Sequence, residues 1–457
     1  MSQTARAVVV GGGYAGIAAA LGLADRGHIV TLLESRRHWG GRATSWPDPR
    51  MGDVLDNGQH VWLGCYGNTR GLLVRLGTAD QVGFAPDLDL RYREIGGRAY
   101  RLRAPAVLGR LGLALGLAGF GAIPWRERVA LGRALEQAPP PDPLDTVEAW
   151  LDRLGQGKGA RRAFWTPLTE AALNLPPADA AASLLHAVVV RAFRGGAADA
   201  AVGLPRTGLA ELLTPIEDAL AARGGRARLG TPARAVRLGD RGAAFLVELD
   251  TGEAMPADCV VIATPASDAR ALIDGRLRDS APGLERAAAV PSAPIVTVTL
   301  WFEARALEAP MLGLLAPAAG GGPGFQWAFD RGTLVPRTSA AWPLTLVASA
   351  ARHMAGLPTA AIVERARAAL DAYRITRATP LASRVVKEPH ATPAFTPEHA
   401  ARRPSVASGL PGLAFAGDWT DTGLPATIEG AVTSGMAAAR HVLGSAILPD
   451  QNPRPAP

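Results

Sequence analysis

The stretch that most constrains this chain is Val8-Val9-Val10-Gly11-Gly12-Gly13-Tyr14-Ala15-Gly16. An apolar β-type run leads into Gly-x-Gly-x-x-Gly, and a helix of small residues, Ile17 to Ala24, follows. Gly11 permits a tight turn, Gly13 lets the backbone approach a pyrophosphate, and Gly16 lets helix and strand pack closely. The phosphates then meet the amides and the positive dipole end of the helix N-terminus. A second strand, His28 to Leu33, ends in Glu34, at the place where an acidic side chain grips a ribose hydroxyl pair. Strand, glycines, helix, strand and acid in this order predict a dinucleotide-binding βαβ unit.

At 457 residues the chain is too long for one ordinary core, so two intertwined domains are expected. Hydrophobic residues at 48% against 19% charged suit a folded protein, not a disordered one. The 52 glycines and 37 prolines follow no repeat and read as loops and turns. A net charge of +7, carried mostly by Arg, can attract anionic lipid head groups or a diphosphate. Without a Lys/Arg tract interleaved with aromatics, nucleic acid is not an expected partner. Cys65 and Cys259 have neither CxxC nor Cys/His spacing, so they read as buried free thiols of a reducing compartment, with no metal site implied. The first strand begins almost at residue 1, so no cleavable signal peptide is expected and the cytoplasm is the default location.

Beyond Glu34 comes Ser35-Arg36-Arg37-His38-Trp39-Gly40-Gly41-Arg42. Gly40-Gly41 reads as a second loop folding back over the dinucleotide, and Arg42 can neutralise pyrophosphate oxygens with a fixed fork of donors. Glycine motif, acid and Gly-Gly-Arg together resemble the FAD-binding start of the amine oxidase and phytoene desaturase superfamily. In that superfamily the segment from Asp53 onward passes close to the isoalloxazine ring. Its sequence here, Asp56-Asn57-Gly58-Gln59-His60 followed by Leu63-Gly64-Cys65-Tyr66, is similar more narrowly to the hydroxysqualene dehydroxylase family, squalene-associated desaturase-like flavoenzymes of bacterial hopanoid pathways. Three further segments carry the same likeness: Trp165 to Pro177, Gln326-Trp327-Ala328-Phe329-Asp330-Arg331, and Gly423 to Val432. Gly203 to Leu213 resembles the turn by which superfamily chains re-enter the FAD domain, with Thr207 in place of its first glycine.

The resemblance implies an α/β fold, a Rossmann-type (glutathione-reductase-like) FAD-binding domain interrupted by a mixed α+β substrate domain. The expected division gives 1–90, 206–275 and 406–446 to the FAD domain, 91–205 and 276–405 to the substrate domain, and 447–457 to a disordered tail. Short alternating strands are expected in Arg91–Arg103 and helices in Leu144–Leu154 and Ala160–Leu175. Strands are expected in Asp258–Pro265, which stops at a small-residue turn, and at Ile295–Phe302 and Leu344–Ala350, and a helix at Ile362–Tyr373. Leu111 to Ile123 is uninterrupted and apolar, yet short of the ~20 residues that a spanning helix needs. It reads either as a buried core helix or as an interfacial segment flanked by Arg110, Trp125, Arg126 and Arg128. An isoprenoid substrate tips the choice to the second and places the protein peripherally on the inner membrane.

The expected FAD contacts are Gly11, Gly13, Tyr14, Ala15, Gly16, Glu34, Ser35, Gly41, Arg42, Gly58, Gln59, His60, Val236, Ala263, Thr264, Gly417, Asp418, Pro425, Ala426, Thr427 and Ile428. Asp418 can bind a ribityl hydroxyl, and amides around Ala426–Ile428 can stabilise charge at the N1–C2=O edge of the flavin. The implied reaction removes the hydroxyl of hydroxysqualene reductively to give squalene, with electrons from a donor that the sequence does not identify and with pathway synthases as possible neighbours. It requires a proton donor. His60, with an ordinary pKa near neutrality, leads, and Glu170 and Asp421 follow. A structural His60 bonding a backbone carbonyl remains an equal alternative. Other expectations on the same residues are a phytoene-type desaturase, a soluble-substrate amine oxidase, or a flavin-stabilised lipid-handing scaffold.

Overall fold

The computed structural model describes residues 5–239, 242, 244–317 and 321–445. The expected tail 447–457 and Gly320 lie outside the described residues.

The first strand, Arg6–Val10, is apolar on both sides because it is central in a parallel sheet. Five strands make this sheet, in the spatial order Arg226–Arg228, Ile29–Leu33, Arg6–Val10, Cys259–Ile262, Leu413–Phe415. The chain therefore leaves the sheet after its second strand, returns for two strands in the middle of the sequence, and returns again near the C-terminus. The helix Tyr14–Ala24 lies against the final helix, Ile428–Ser445, and Gly435 makes that possible, since a Cβ there would stand 2.0 Å from the Ala15 carbonyl oxygen. A three-stranded antiparallel layer, Ala233–Leu238, Phe245–Leu249 and Ala254–Ala257, covers one end of the sheet. This is an α/β architecture built on a parallel sheet, as the βαβ unit at the N-terminus predicts.

The long excursions build a second, seven-stranded sheet. Its order is Ala382–Pro393, Ser292–Phe302, Trp342–Ala348, Trp327–Asp330, Met311–Leu315, Leu88–Glu94, Ala99–Ala104, antiparallel except where Met311–Leu315 meets Leu88–Glu94. Alternation along Ser292–Phe302 separates its faces. Val296, Val298, Leu300 and Phe302 pack with Ile362, Ala366 and Leu370 of the helix Thr359–Ala372 in one cluster, while Ile295, Trp327, Phe329 and Val347 join the cluster of the helical layer. That layer contains Val147–Arg153, Thr166–Leu173 and Ala182–Phe193.

The expected helix Ala160–Leu175 is present as continuous helical backbone from Lys158 to Leu173, with a π-helical turn at Arg161–Trp165 inside it. Pro167 has no amide to donate, which suits the wide turn before it. The apolar run Leu111–Ile123 divides. Gly109–Gly119 is a helix, and Trp125–Gln137 is a second. Gly112 and Gly116 sit on the backbone of Arg103–Pro105, where a Cβ would come within 2.2 Å and 2.6 Å of carbonyl oxygens. Leu113 and Leu117 are buried, whereas Leu111 and Leu115 are exposed. No helix among the described residues is long and apolar enough to cross a membrane.

Candidate active site

The glycine motif is built as its spacing requires. Gly11 has φ +111°, and a Cβ there would collide with the Ala263 carbonyl, so strand and turn close tightly. A Cβ on Gly16 would stand 1.8 Å from the Gly11 oxygen. Around Gly13, by contrast, the nearest atom to an added Cβ is 3.9 Å away, the space a pyrophosphate needs. Glu34 is buried and accepts from the Gly12 amide at 2.7 Å and the Arg36 amide at 2.8 Å, with Ser35 Oγ at 3.1 Å. Thr231 donates its amide to the Glu34 carbonyl, which brings the segment before Val236 to the acidic end of the cradle.

The Gly40–Arg42 loop does fold onto this motif. The Gly40 amide donates to Gly12, and the Trp39 ring covers Gly12 while its Nε1 donates to Glu217. Arg42 and Asp418 were expected to contact phosphate and ribityl separately. The structure pairs them, Nη2 to Oδ1 at 2.6 Å, and Arg42 also donates to the Ala391 carbonyl. Gly417 is held by Ser434 Oγ, and the helix starting at Ile428 follows at once. The Thr427 amide donates to the Pro425 carbonyl. Ala263 and Thr264 end the strand beside Gly11, and the Thr264 carbonyl accepts from Trp419 Nε1. Tyr14 Oη and Gln59 Nε2 are buried without a partner among the described residues, and each sits on a segment bordering the cradle. Open space at Gly13, a carboxylate at the ribose position and unspent buried donors fit a flavin dinucleotide.

The segment expected beside the flavin ring is held by residues from distant strands. Arg331 donates to Asp56 Oδ2 at 2.5 Å, to Gln59 Oε1 and to the Val54 carbonyl, and both charged side chains are almost wholly buried. Asp53 accepts from Trp301 Nε1 and from the Thr338 and Ser339 amides. The Asp-Asn-Gly-Gln-His and Gln-Trp-x-Phe-Asp-Arg motifs thus meet. Sequence reasoning treated them separately, although a charge ending the apolar strand Trp327–Asp330 was a sign that a partner existed.

His60 Nδ1 lies 3.1 Å from the Gly58 carbonyl. In that contact Nδ1 carries the proton and Nε2 is an acceptor. Burial lowers the imidazole's pKa, against the pull of Asp56, so the ring is neutral at pH 7. Glu170 is the opposite case. Burial raises its carboxyl to about 7, opposed by a hydrogen bond from Gln326. Gln326 Oε1 accepts from the Ser349 amide at 2.9 Å, so its NH2 is the end facing Glu170. Asp421 is exposed, and its carboxylate accepts from the Gly423 amide in a local turn.

An apolar cavity of about 110 Å³ lies among these parts. Val61, Leu63 and Tyr66 form one wall, Leu168 and Ala172 of the Glu170 helix a second, and Leu424 with Pro425 a third. Cys65 also borders it, with burial pushing its thiol up to about 11, and Cys259 is buried in the sheet. Among the described residues no cluster of His, Cys, Asp and Glu has the makings of a metal site. Two structural carboxylates escaped sequence reasoning besides Asp56. Glu429 receives the Asn68 and Thr69 amides and so caps the helix Gly67–Leu76, and Asp53 ties the flavin-side segment to the second sheet.

A family model described as flavin containing amine oxidoreductase matches residues 14–443. The chain is 31% identical to a hydroxysqualene dehydroxylase of Rhodopseudomonas palustris over 97% of its length and 99% of that protein's. It is 26% identical to a 15-cis-phytoene desaturase of Narcissus pseudonarcissus, over 95% of this chain and 79% of that one. Among solved structures, an oxidoreductase from Methanosarcina mazei superposes with a TM-score of 0.73 at 15% identity, covering 95% of this chain and 100% of that one. A putrescine oxidase bound to putrescine superposes at 0.66 with 17% identity over 96% and 99%. These two share the fold.

Proposed function

Because the chain belongs to the flavin-containing amine oxidoreductase family, and is accordingly an FAD-dependent oxidoreductase, we propose that it removes the hydroxyl group of hydroxysqualene reductively to give squalene. The observation that carries this reading is Glu170, a half-buried carboxyl that accepts from Gln326 and whose pKa burial raises to about 7, on the helix whose Leu168, Ala171 and Ala172 line the apolar cavity. A desaturation needs no acid to expel an oxygen, whereas a dehydroxylation does. The dehydroxylase name also recurs among relatives matched over nearly the whole chain.

The hydroxyl of the substrate is allylic, so its loss as water leaves a delocalised cation. Glu170 gives the proton that converts the hydroxyl into water as the C–O bond breaks. Reduced flavin, when bound, supplies the hydride that closes that carbon. His60 presents Nε2 as an acceptor, which can orient the hydroxyl but not protonate it. Gln326 keeps Glu170 aimed and partly ionisable, and the apolar walls exclude water that would trap the cation.

Substrate of this kind is delivered from a membrane surface in our reading. Val107, Leu111, Leu115 and Trp125 are all more than half exposed on the helical hairpin 106–137, beside Arg110 and Arg126. Apolar side chains within a basic rim suit the interface of an anionic bilayer. The Narcissus relative favours one second reading, a phytoene-type desaturase. Product analysis separates the two. Reduced enzyme given hydroxysqualene yields squalene in the first reading, and oxidised enzyme given phytoene yields a longer polyene in the second. Hydroxysqualene recovered intact from reduced, flavin-loaded protein would overturn the proposal.

A further inference from the structure

A second cavity, of about 210 Å³, opens beside the loop that carries Asp418, with none of the expected FAD contacts in its lining. Phe395, Trp419 and Val290 give it apolar walls, and Arg286, Arg402, Arg403 and His399 give it four basic groups. Among the described residues no carboxylate lines it.

Arg403 is buried, at 8% exposure. It lies over the Phe395 ring and donates to the carbonyls of Leu424, Asp418 and Thr420. These bonds clamp the loop that bears the expected ribityl contact, yet each acceptor is neutral. The Asp418 carboxylate is already taken by Arg42, and no carboxylate lies within ion-pair distance of Arg403 among the described residues. Its Nε is buried with no hydrogen-bond partner among the described residues. Burial pulls its pKa down to about 10 against the pull of Asp421 and Asp418, neither of which comes within ion-pair distance. Arg286 and Arg402 stand exposed at the rim and enter no ion pair among the described residues. A buried cation left on carbonyls alone is costly, and an anion in the cavity offsets that cost.

We propose that this cavity is a second ligand site, separate from the FAD cradle, that binds a phosphate group carried on a small apolar body. Three guanidinium groups and an imidazole exceed what one carboxylate balances, and a phosphate dianion matches them while offering several acceptor oxygens. The volume lies below the ~300 Å³ usual for drug-sized ligands, which limits the occupant to a head group and a few carbons. Through Arg403 the occupant touches the loop that holds Asp418, so binding is felt at the flavin. The inference does not depend on which isoprenoid the enzyme reduces.

The test is calorimetric titration of flavin-saturated holoenzyme, whose cradle is already filled, with inorganic phosphate and with n-butyl phosphate, against sodium chloride at equal ionic strength. Saturable binding of both is expected, with the butyl ester tighter, together with a small change in flavin absorbance. R286Q and R402Q alter rim residues outside the catalytic machinery, and each should retain full flavin content while weakening binding about tenfold, as loss of one charge-assisted hydrogen bond implies. No saturable heat for either phosphate, or binding unchanged in both variants, would overturn the site. Equal affinity for the two phosphates would overturn its apolar half.

Discussion

Glu170→Gln should make the protein more stable and less active, and the two effects should have different pH dependences. In the unfolded chain this carboxyl ionises near 4.5, and in the folded protein burial raises that to about 7. Between those values the native state holds a proton that the unfolded state has lost, so stability falls as pH rises through the window, and the cost is complete above about pH 7. At about 1.4 kcal/mol per pH unit, the cost reaches ~3 kcal/mol at pH 8 and remains under ~1 kcal/mol at pH 5. An amide of the same shape cannot ionise and keeps an oxygen to accept from Gln326. The variant should therefore melt higher than the parent at pH 8 by a margin that shrinks at pH 5. Thermal unfolding of both flavin-loaded proteins across pH 5 to 8 measures this, and turnover of hydroxysqualene should fall at least ~100-fold. A stability gap independent of pH would refute the assignment of a half-buried, proton-holding Glu170.

Arg331→Met leaves Asp56 buried without its partner and should cost about 3–5 kcal/mol, seen as a lowered melting temperature together with lost flavin, because the Asp56–His60 segment loses its anchor. His60→Asn should retain the fall in rate above about pH 7 that the carboxyl sets, with a raised KM; disappearance of that limb would return the acid role to His60. Leu111→Ser combined with Trp125→Ser should abolish co-sedimentation with anionic phospholipid vesicles and leave flavin content and turnover of detergent-dispersed substrate unchanged.

The dinucleotide half was readable in the sequence because its chemistry is local. A turn at Gly11, close packing at Gly16 and an acid one strand later are contacts between near neighbours, and the structure assembles them with little help from elsewhere. The second half depends on contacts across hundreds of residues, to which periodicity is blind. Nothing in Asp56-Asn57-Gly58 shows that Arg331 closes on it, and nothing in Thr169-Glu170-Ala171 shows that Gln326 waits opposite. Arg42 and Asp418 were each visible as cofactor contacts, but their mutual pairing, 376 residues apart, was not. His60 drew notice through its ordinary pKa. Burial reverses the ranking, because the same desolvation that makes an imidazole a weaker acid-holder makes a carboxyl a better one. The apolar run Leu111–Ile123 was ambiguous for a comparable reason, since its glycines bury one face while its leucines leave another in solvent.

The most direct test of the proposed chemistry is a single-turnover balance. Flavin-loaded protein is reduced anaerobically, mixed with hydroxysqualene in detergent, and followed by flavin absorbance while the lipid is extracted and quantified. The account predicts one squalene formed for each flavin reoxidised, at a rate that falls as pH rises through about 7. Flavin that stays reduced beside unconsumed hydroxysqualene, or that reoxidises without squalene, would contradict it.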